Sequence, residues 1–245
     1  MVATREQIAP MRPRGASAEP DWAVPGPVAN VRGVLDAPAP LEFPPLGMPG
    51  WKRAFDVMAA LGLLVAAFPL MAMIAAVVAL TSRGGAIYAQ TRIGHGGRAF
   101  TCFKFRTMVR GAERMKPALE DGNIARGPLF KMRADPRCTA IGAVLRKTSL
   151  DELPQLWNVV RGEMSLVGPR PPLPAEVALY EPHHFARLMV VPGMTGLWQV
   201  TARKRHDFAD MVVLDAEYAA TLSPWTDLRI LLKTLPTVLR GDGSC

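Results

Sequence analysis

The sequence predicts a small α/β (α+β) domain held at a membrane. It adds a Pro-kinked apolar helix near the N-terminus and amphipathic interfacial helices at the C-terminus. Three observations predict this. Residues 57–82 form a run of 26 without a charged side chain. Two short stretches after that run alternate apolar and polar residues like paired strands. The last forty or so residues change to helical spacing, with Trp225, Arg229 and Lys233 beside apolar positions.

Residues 1–50 carry ten of the chain's 23 prolines, mixed with Ala and Gly and without an apolar period. A disordered tail is expected. Its start lacks the apolar stretch of a signal peptide.

Residues 51–83 are the expected membrane helix. The uncharged run would be roughly 39 Å long as a straight helix, at about 1.5 Å per residue. That is enough to cross a bilayer. Pro69 stands at its middle, where the missing N–H and the ring clash predict a kink. Lys52 and Arg53 precede the run, and Arg83, Arg92, Arg98, Lys104 and Arg106 follow it. Cations on both flanks do not choose a crossing direction. A spanning helix and a re-entrant one, bent at Pro69, both stay open on these residues.

Residues 84–245 form the expected cytosolic domain, which ends in interfacial helices. Strands are predicted at 86–90 and 99–106, joined by Ile93-Gly94-His95-Gly96-Gly97-Arg98. That glycine-rich loop has no Gly-Lys-Ser/Thr ending and no GxGxxG, so it reads as a hairpin turn rather than a phosphate cradle. Lys104 and Arg106 fall on one strand face. A short helix is expected over 151–161, closed by Gly162, then a strand over 164–167. Turns follow at 168–172 and 191–196. Residues 207–222 carry Phe208, Met211, Val212, Leu214 and Tyr218 at helical spacing. Ser223-Pro224 then opens a last helix, Ser as N-cap and Pro in the first turn.

The net charge is +8, and residues 101–150 hold eleven Lys/Arg against four Asp/Glu. Such a block implies a polyanionic partner. Cys102, Cys138 and Cys245 have no metal-ligand spacing and no evident pairing, which argues against a disulfide framework. The four histidines, His95, His183, His184 and His206, are scattered.

The candidate site is Arg146-Lys147-Thr148-Ser149-Leu150-Asp151-Glu152-Leu153-Pro154, together with Arg170 in Gly168-Pro169-Arg170-Pro171-Pro172. Adjacent carboxylates framed by cations suit phosphate-ester chemistry: a nucleophile or base, a divalent cation, and guanidiniums on the phosphates. Ser149-x-x-Glu152 also matches a capping box. Pro154 opposes that reading, because a helix capped by Ser149 would put Pro154 where an N–H is needed. Asp151 could still be a plain cap. The helix N-terminus, Arg146 and Lys147 are expected to keep Asp151 ionised at neutral pH. Asp151 would attack phosphorus, and Glu152 would help to hold Mg²⁺ or its water. Prolines around Arg170 fix its backbone.

The chain resembles the bacterial sugar transferase family, the monotopic phosphoglycosyl transferases that start exopolysaccharide and glycoconjugate synthesis. The resemblance runs from about Trp51 to Gly243. It is carried by Lys52-Arg53-x-x-Asp56, Pro69, Lys104-Phe105-Arg106-Thr107-Met108, the Arg146 to Gln155 segment, Gly168-Pro169-Arg170-Pro171 and Pro192-Gly193-Met194-Thr195-Gly196. It implies a re-entrant helix hinged at Pro69, with Lys52, Arg53 and Asp56 at its start. It implies a Mg²⁺-dependent transfer: Asp151 attacks a UDP-sugar, UMP leaves, and undecaprenyl phosphate takes the phosphosugar. Arg146 and Arg170 match phosphate-holding positions. Thr201-Ala202-Arg203 departs from the usual Ser/Asn-Gly-Arg. The implied place is the bacterial inner (cytoplasmic) membrane, with the catalytic domain on the cytosolic face. Membrane lipids are partners, nucleic acid is not, and homodimerisation stays open. The chain reads as a minimal catalytic unit, with no extra transmembrane helices before the core. The rivals are a non-catalytic, membrane-tethered protein binding nucleic acid or anionic lipid, and a lipid-phosphate hydrolase.

Overall fold

Helix α1 (Gly50–Thr81) runs for 32 residues with Pro69 inside it. It is long and apolar enough to cross a membrane, and only 11% of its most apolar window is buried. The computed structural model describes residues 45–82, 84–132, 134–202 and 207–239. Nearly all of the expected tail, along with Arg83, Arg203, His206 and Cys245, lies outside the described residues.

α1 buries one stripe only. Lys52, Asp56, Ala60, Ile74 and Val78 are buried. Leu64 and Met71, between them, pack against the domain's clusters. These positions recur at steps of three, four or, around Pro69, seven residues, which keeps them on one face of a helix. Phe55, Met58, Leu61, Leu63, Val65 and Phe68 are exposed on the other faces.

Strands β1 (Ile87–Ile93) and β2 (Ala99–Phe105) pair antiparallel, with Tyr88 opposite Lys104 and Arg92 opposite Phe100. The loop between them contains a 3₁₀ turn at His95–Gly97, with Gly96 at φ 62°. A short helix α2 (Ala112–Met115) and a 3₁₀ segment (Pro117–Gly122) follow. Helix α3 (Ala140–Thr148), which the sequence reading did not anticipate, is capped by Thr139, whose Oγ1 accepts from Gly142 N at 3.0 Å. Gly142 is required there: a Cβ would collide with the Thr107 carbonyl.

The expected helix over 151–161 is divided. A 3₁₀ turn, Leu150–Glu152, precedes helix α4 (Gln155–Arg161). Pro154 occupies the N-cap position of α4, so its missing N–H costs nothing. Gly162, at φ 82°, closes the helix as expected.

Strand β3 (Ser165–Val167) pairs in parallel with β4 (Gly193–Thr195). The expected turn at 191–196 therefore contains a strand. Between the two lie α5 (Pro174–Val177) and a 3₁₀ segment (Pro182–Leu188). Helices α6 (Leu197–Thr201), α7 (Phe208–Ala220) and α8 (Pro224–Leu239) complete the described chain. Ser223 caps α8 as expected, its Oγ accepting from Thr226 N at 3.2 Å.

The main core draws on most of these elements. Ala60 of α1, Cys102 of β2, Leu156 and Val159 of α4, Val167 of β3, Tyr218 of α7 and Ile230 of α8 form one cluster. Asp227 of α8 pairs with Lys52 of α1 and accepts from the Tyr218 hydroxyl at 2.8 Å. The long apolar helix and the domain thus share a single interior. On α8, Trp225, Leu228, Leu232, Leu235 and Val238 are exposed, and Arg229 lies over the Trp225 ring at 5.3 Å.

Candidate active site

The Asp-Glu pair is presented by a strained turn. Ser149 ends α3 at φ 57°, the one non-glycine in the left-handed region among the described residues. Such a conformation costs about 1 kcal/mol or more and is held by its surroundings. It redirects the chain into the 3₁₀ turn that carries Asp151 and Glu152. The Ser149 side chain makes no cap, and no capping box forms. The Glu152 carboxylate instead meets Lys104 Nζ, from β2, at 2.6 Å.

A cavity of about 690 Å³ opens beside this turn, within the usual range of small-molecule sites. Ser149, Glu152 and Gln155 form part of one wall, and Arg146, Lys104 and Arg170 bring three cations to it. Arg146 Nη1 contacts Cys138 Sγ at 2.8 Å. Arg170 Nη1 pairs with Glu176 at 3.2 Å. Farther along, Leu129, Phe130, Trp198 and Met211 supply an apolar lining, and α8 contributes Thr234 and Thr237.

Asp151 lies just behind Glu152. It is 7% exposed and does not itself line the cavity. Its carboxyl is pushed up to about 6, chiefly by burial and then by the like charge of Glu152; Lys104 and Arg146 offset part of this. Nearby charge does favour the ionised form, as expected of Arg146, but the net shift is upward rather than downward. Burial in low dielectric outweighs the two nearby cations. A carboxyl pushed up to about 6 is still mainly ionised at neutral pH, as the sequence predicts.

Lys104, Arg146, Glu152 and Arg170 converge on the cavity; Arg106 does not. Arg106 lies one residue past the end of β2, donates to Gly85 O at 3.0 Å and stacks over Tyr88 at 5.5 Å. Arg92 takes a place there instead. It lines the cavity, is 8% exposed, and hydrogen-bonds to neutral groups: Pro171 O at 2.9 Å and Gln90 Oε1 at 2.7 Å. The sequence placed it only among the cations after the apolar run, two residues beyond the strand expected at 86–90, so the face it shares with Lys104 did not show. Lys52, Arg53 and Asp56 lie outside the cavity. Arg53 donates to the Val159 and Val160 carbonyls at the end of α4, and Asp56 accepts from Leu166 N at 3.0 Å.

Glu152 and Asp151 are hard-oxygen donors at one turn, which fits Mg²⁺. Elsewhere Glu181, His183 and His184 bring one ligand atom each within 4.8 Å of the others. The His184 Nδ1 already accepts from Glu181 N, so its lone pair is committed.

The bacterial sugar transferase family model matches residues 48–241. The chain is 46% identical to a UDP-galactose-lipid carrier transferase of Erwinia amylovora, over 79% of this chain and 41% of that protein. It is 45% identical to the exopolysaccharide production protein ExoY of Rhizobium meliloti, over 79% of this chain and 87% of that protein. It is 41% identical to a UDP-glucose:undecaprenyl-phosphate glucose-1-phosphate transferase of Caulobacter vibrioides, over 79% and 71%. The chain therefore spans about two fifths of the first relative and most of the other two.

Proposed function

Because the chain belongs to the bacterial sugar transferase family, we propose that it transfers a sugar 1-phosphate from a UDP-sugar to undecaprenyl phosphate at a membrane surface. The carrying observation is the convergence of Lys104, Arg146 and Arg170 with Glu152 on one cavity, beside the buried carboxylate of Asp151.

The ionised Asp151 attacks the phosphorus that bears the sugar. An O–P bond forms, the P–O bond to UMP breaks, and UMP leaves with the electron pair. Rotation of the Asp151 carboxylate past Glu152 brings it to the cavity. Arg146 and Arg170 hold the diphosphate and balance charge as it passes to UMP. A phosphate oxygen of undecaprenyl phosphate then attacks the phosphosugar-aspartate and returns Asp151 as carboxylate. Glu152 and Asp151 would hold Mg²⁺, which supplies positive charge to the diphosphate when bound. Lys104 fixes Glu152 for that task.

The reading includes a helix that enters and leaves the same membrane face, with residues 84–245 as a cytosolic unit at the bacterial inner membrane. The buried stripe of α1, from Lys52 to Val78, supports it: both ends of the helix pack on one domain. The exposed apolar face of α8 supports an interfacial seat.

The test uses purified protein in lipid nanodiscs with Mg²⁺, a panel of UDP-sugars and undecaprenyl phosphate. UMP release that depends on the lipid, together with a sugar-diphospholipid product, is expected. UMP release with free sugar phosphate would indicate a hydrolase. No UMP from any donor would favour a binding protein.

A further inference from the structure

Residues 168–172 read Gly-Pro-Arg-Pro-Pro, so three of the five have no N–H to join a strand ladder. Their carbonyls still need donors. Pro169 O accepts from Gly193 N of β4 at 2.8 Å, and Pro172 O accepts from Ile93 N of β1 at 2.9 Å. The two carbonyls between them are held by side chains. Arg170 O accepts from Arg187 Nη2 at 3.1 Å, and Pro171 O accepts from Arg92 Nη1 at 2.9 Å. Four successive carbonyls are thus tied to three separate elements.

Both guanidiniums are themselves fixed. Arg187 is buried and ion-paired to Asp215 of α7 at 2.8 Å, and it also donates to the Tyr180 hydroxyl at 2.8 Å. Arg92 sends Nε and Nη2 to Gln90 Oε1, at 3.1 and 2.7 Å. Burying two cations to hold two carbonyls is costly for a turn that only connects elements. It is understandable where the turn carries a side chain whose aim matters. That side chain is Arg170, steadied by Glu176, whose Oε2 also accepts from Leu173 N at 2.8 Å.

We propose that Arg92 and Arg187 are positioning residues: they clamp the Arg170 and Pro171 carbonyls and so aim the Arg170 guanidinium at the donor diphosphate. The inference rests on the proposed transfer reaction. Lysine does not replace arginine here, because one ammonium cannot span Gln90 and Pro171 as a planar fork does.

The test is a double-mutant cycle on UMP release in nanodiscs, with Arg92→Lys, Arg170→Ala and the pair. Arg92→Lys keeps the charge and is expected to lower kcat/KM by about 10-fold or more. In the Arg170→Ala background the same change is expected to cost less than about twofold, because the group being aimed is gone. A full loss that persists without Arg170 would show that Arg92 acts on its own account and would overturn the proposal. So would wild-type turnover by Arg92→Lys. Hydrogen exchange without substrate supplies a readout independent of the reaction. The Arg170 and Leu173 amides are expected to exchange faster in Arg92→Lys, with α4 unchanged, and unchanged exchange at those two amides would end the clamp reading. If wild type releases no UMP, the transfer reading fails while exchange still judges the clamp. Should Arg92→Lys not fold, Gln90→Met removes the Oε1 acceptor of Arg92 on a half-buried strand position, together with the Nε2 contacts to Glu113 at 3.2 Å and Tyr88 at 3.5 Å, which lie away from the turn. It is expected to show the same pattern at smaller amplitude, and wild-type behaviour on both readouts would overturn the proposal.

Discussion

Replacing Asp151 by Asn is expected to abolish the reaction and to make the protein harder to unfold. The two effects have one cause. Asp151 is 7% exposed, and its carboxyl is raised from 3.8 to about 6, by burial first and Glu152 second. A raised carboxyl binds its proton more tightly in the folded state than in the unfolded one. Stability therefore increases as pH falls through about 6 toward 3.8, and the ionised group is a liability at neutral pH. The shift is roughly two units, and each unit is about 1.36 kcal/mol. Asn, neutral and of the same shape, can return at most about 3 kcal/mol. The gain is reduced because its amide N–H₂ lies in the positive field of Lys104 and Arg146. A rise in melting temperature of about 3–6 °C is expected, at about 2–4 °C per kcal/mol for a domain of this size. The assays are a thermal melt in nanodiscs at pH 7.5 and intact mass after incubation with UDP-sugar alone. Wild type should gain one phosphosugar and the variant none. An adduct on the variant at the wild-type level would remove Asp151 as nucleophile. A melting temperature several degrees lower would refute the burial argument, because the charge would then be stabilising.

Three further outcomes are expected. Transfer should fall about tenfold per pH unit below about pH 6 as Asp151 protonates, while the melting temperature holds or rises between pH 7.5 and 6; Asp215, also raised to about 6 by burial, has the same sign. A parallel fall in both would point to unfolding instead. Arg170→Lys keeps the charge but loses the fork facing Glu176 and phosphate, so kcat/KM should drop about 10- to 100-fold with an unchanged melt; near-normal turnover would place Arg170 outside the reaction. Single cysteines at Ala29 and at exposed Ala118, in a chain lacking Cys102, Cys138 and Cys245, should both resist an impermeant thiol reagent in intact spheroplasts and react after lysis. External labelling at residue 29 alone would mean that α1 spans.

The parts legible in the sequence were those with a long period or strong punctuation. The 26-residue uncharged run, the α7 and α8 spacings, the Ser223-Pro224 start and the Gly162 stop all appear where they were expected. The β3–β4 pair was not legible, because three residues are too few for an alternation to register, and Gly193 alone suggests a turn. Arg92 was missed for a related reason. Its face is set by the register that pairs Gln90 with Cys102 and Arg92 with Phe100. That register depends on a loop conformation which Gly94, Gly96 and Gly97 leave open in the sequence. Arg106 was included because alternation from Lys104 places it on the same face, but β2 ends at Phe105 and the next residue follows a different course. The sign of the Asp151 shift was misjudged because charge neighbours can be read along the chain, whereas burial comes from β2, α3 and α4 folding around the turn.

The relation of α1 to the membrane follows from which bonds a crossing would break. From Lys52 to Val78 the helix covers roughly 39 Å at 1.5 Å per residue, more than the roughly 30 Å of hydrocarbon. Its first turn holds Lys52 on Asp227 and on the Val167 carbonyl. Its last turns place Ile74 and Val78 against Phe105 and Leu145. A crossing helix that kept both contacts would draw the end of β2 and α3, with Arg146 and Lys147, through the bilayer. A crossing helix that gave up the far contact would pass Ile74 and Val78 to lipid but leave Leu145 uncovered toward water, at about 1.5–3 kcal/mol for a buried side chain lost. It would also uncover Phe105, one residue after the Lys104 that holds Glu152. The proposed seat on one membrane face would keep every one of these bonds and still give Leu61, Leu63, Val65 and Phe68 to lipid. On this argument the helix is a wall of the domain as well as an anchor. Ala60 shares the main core with Leu156 and Val159 of α4, and α4 directly follows the turn that presents Asp151. Removing α1 would therefore disturb the turn that carries Asp151 and Glu152 from behind, even in a protein held at the membrane by other means.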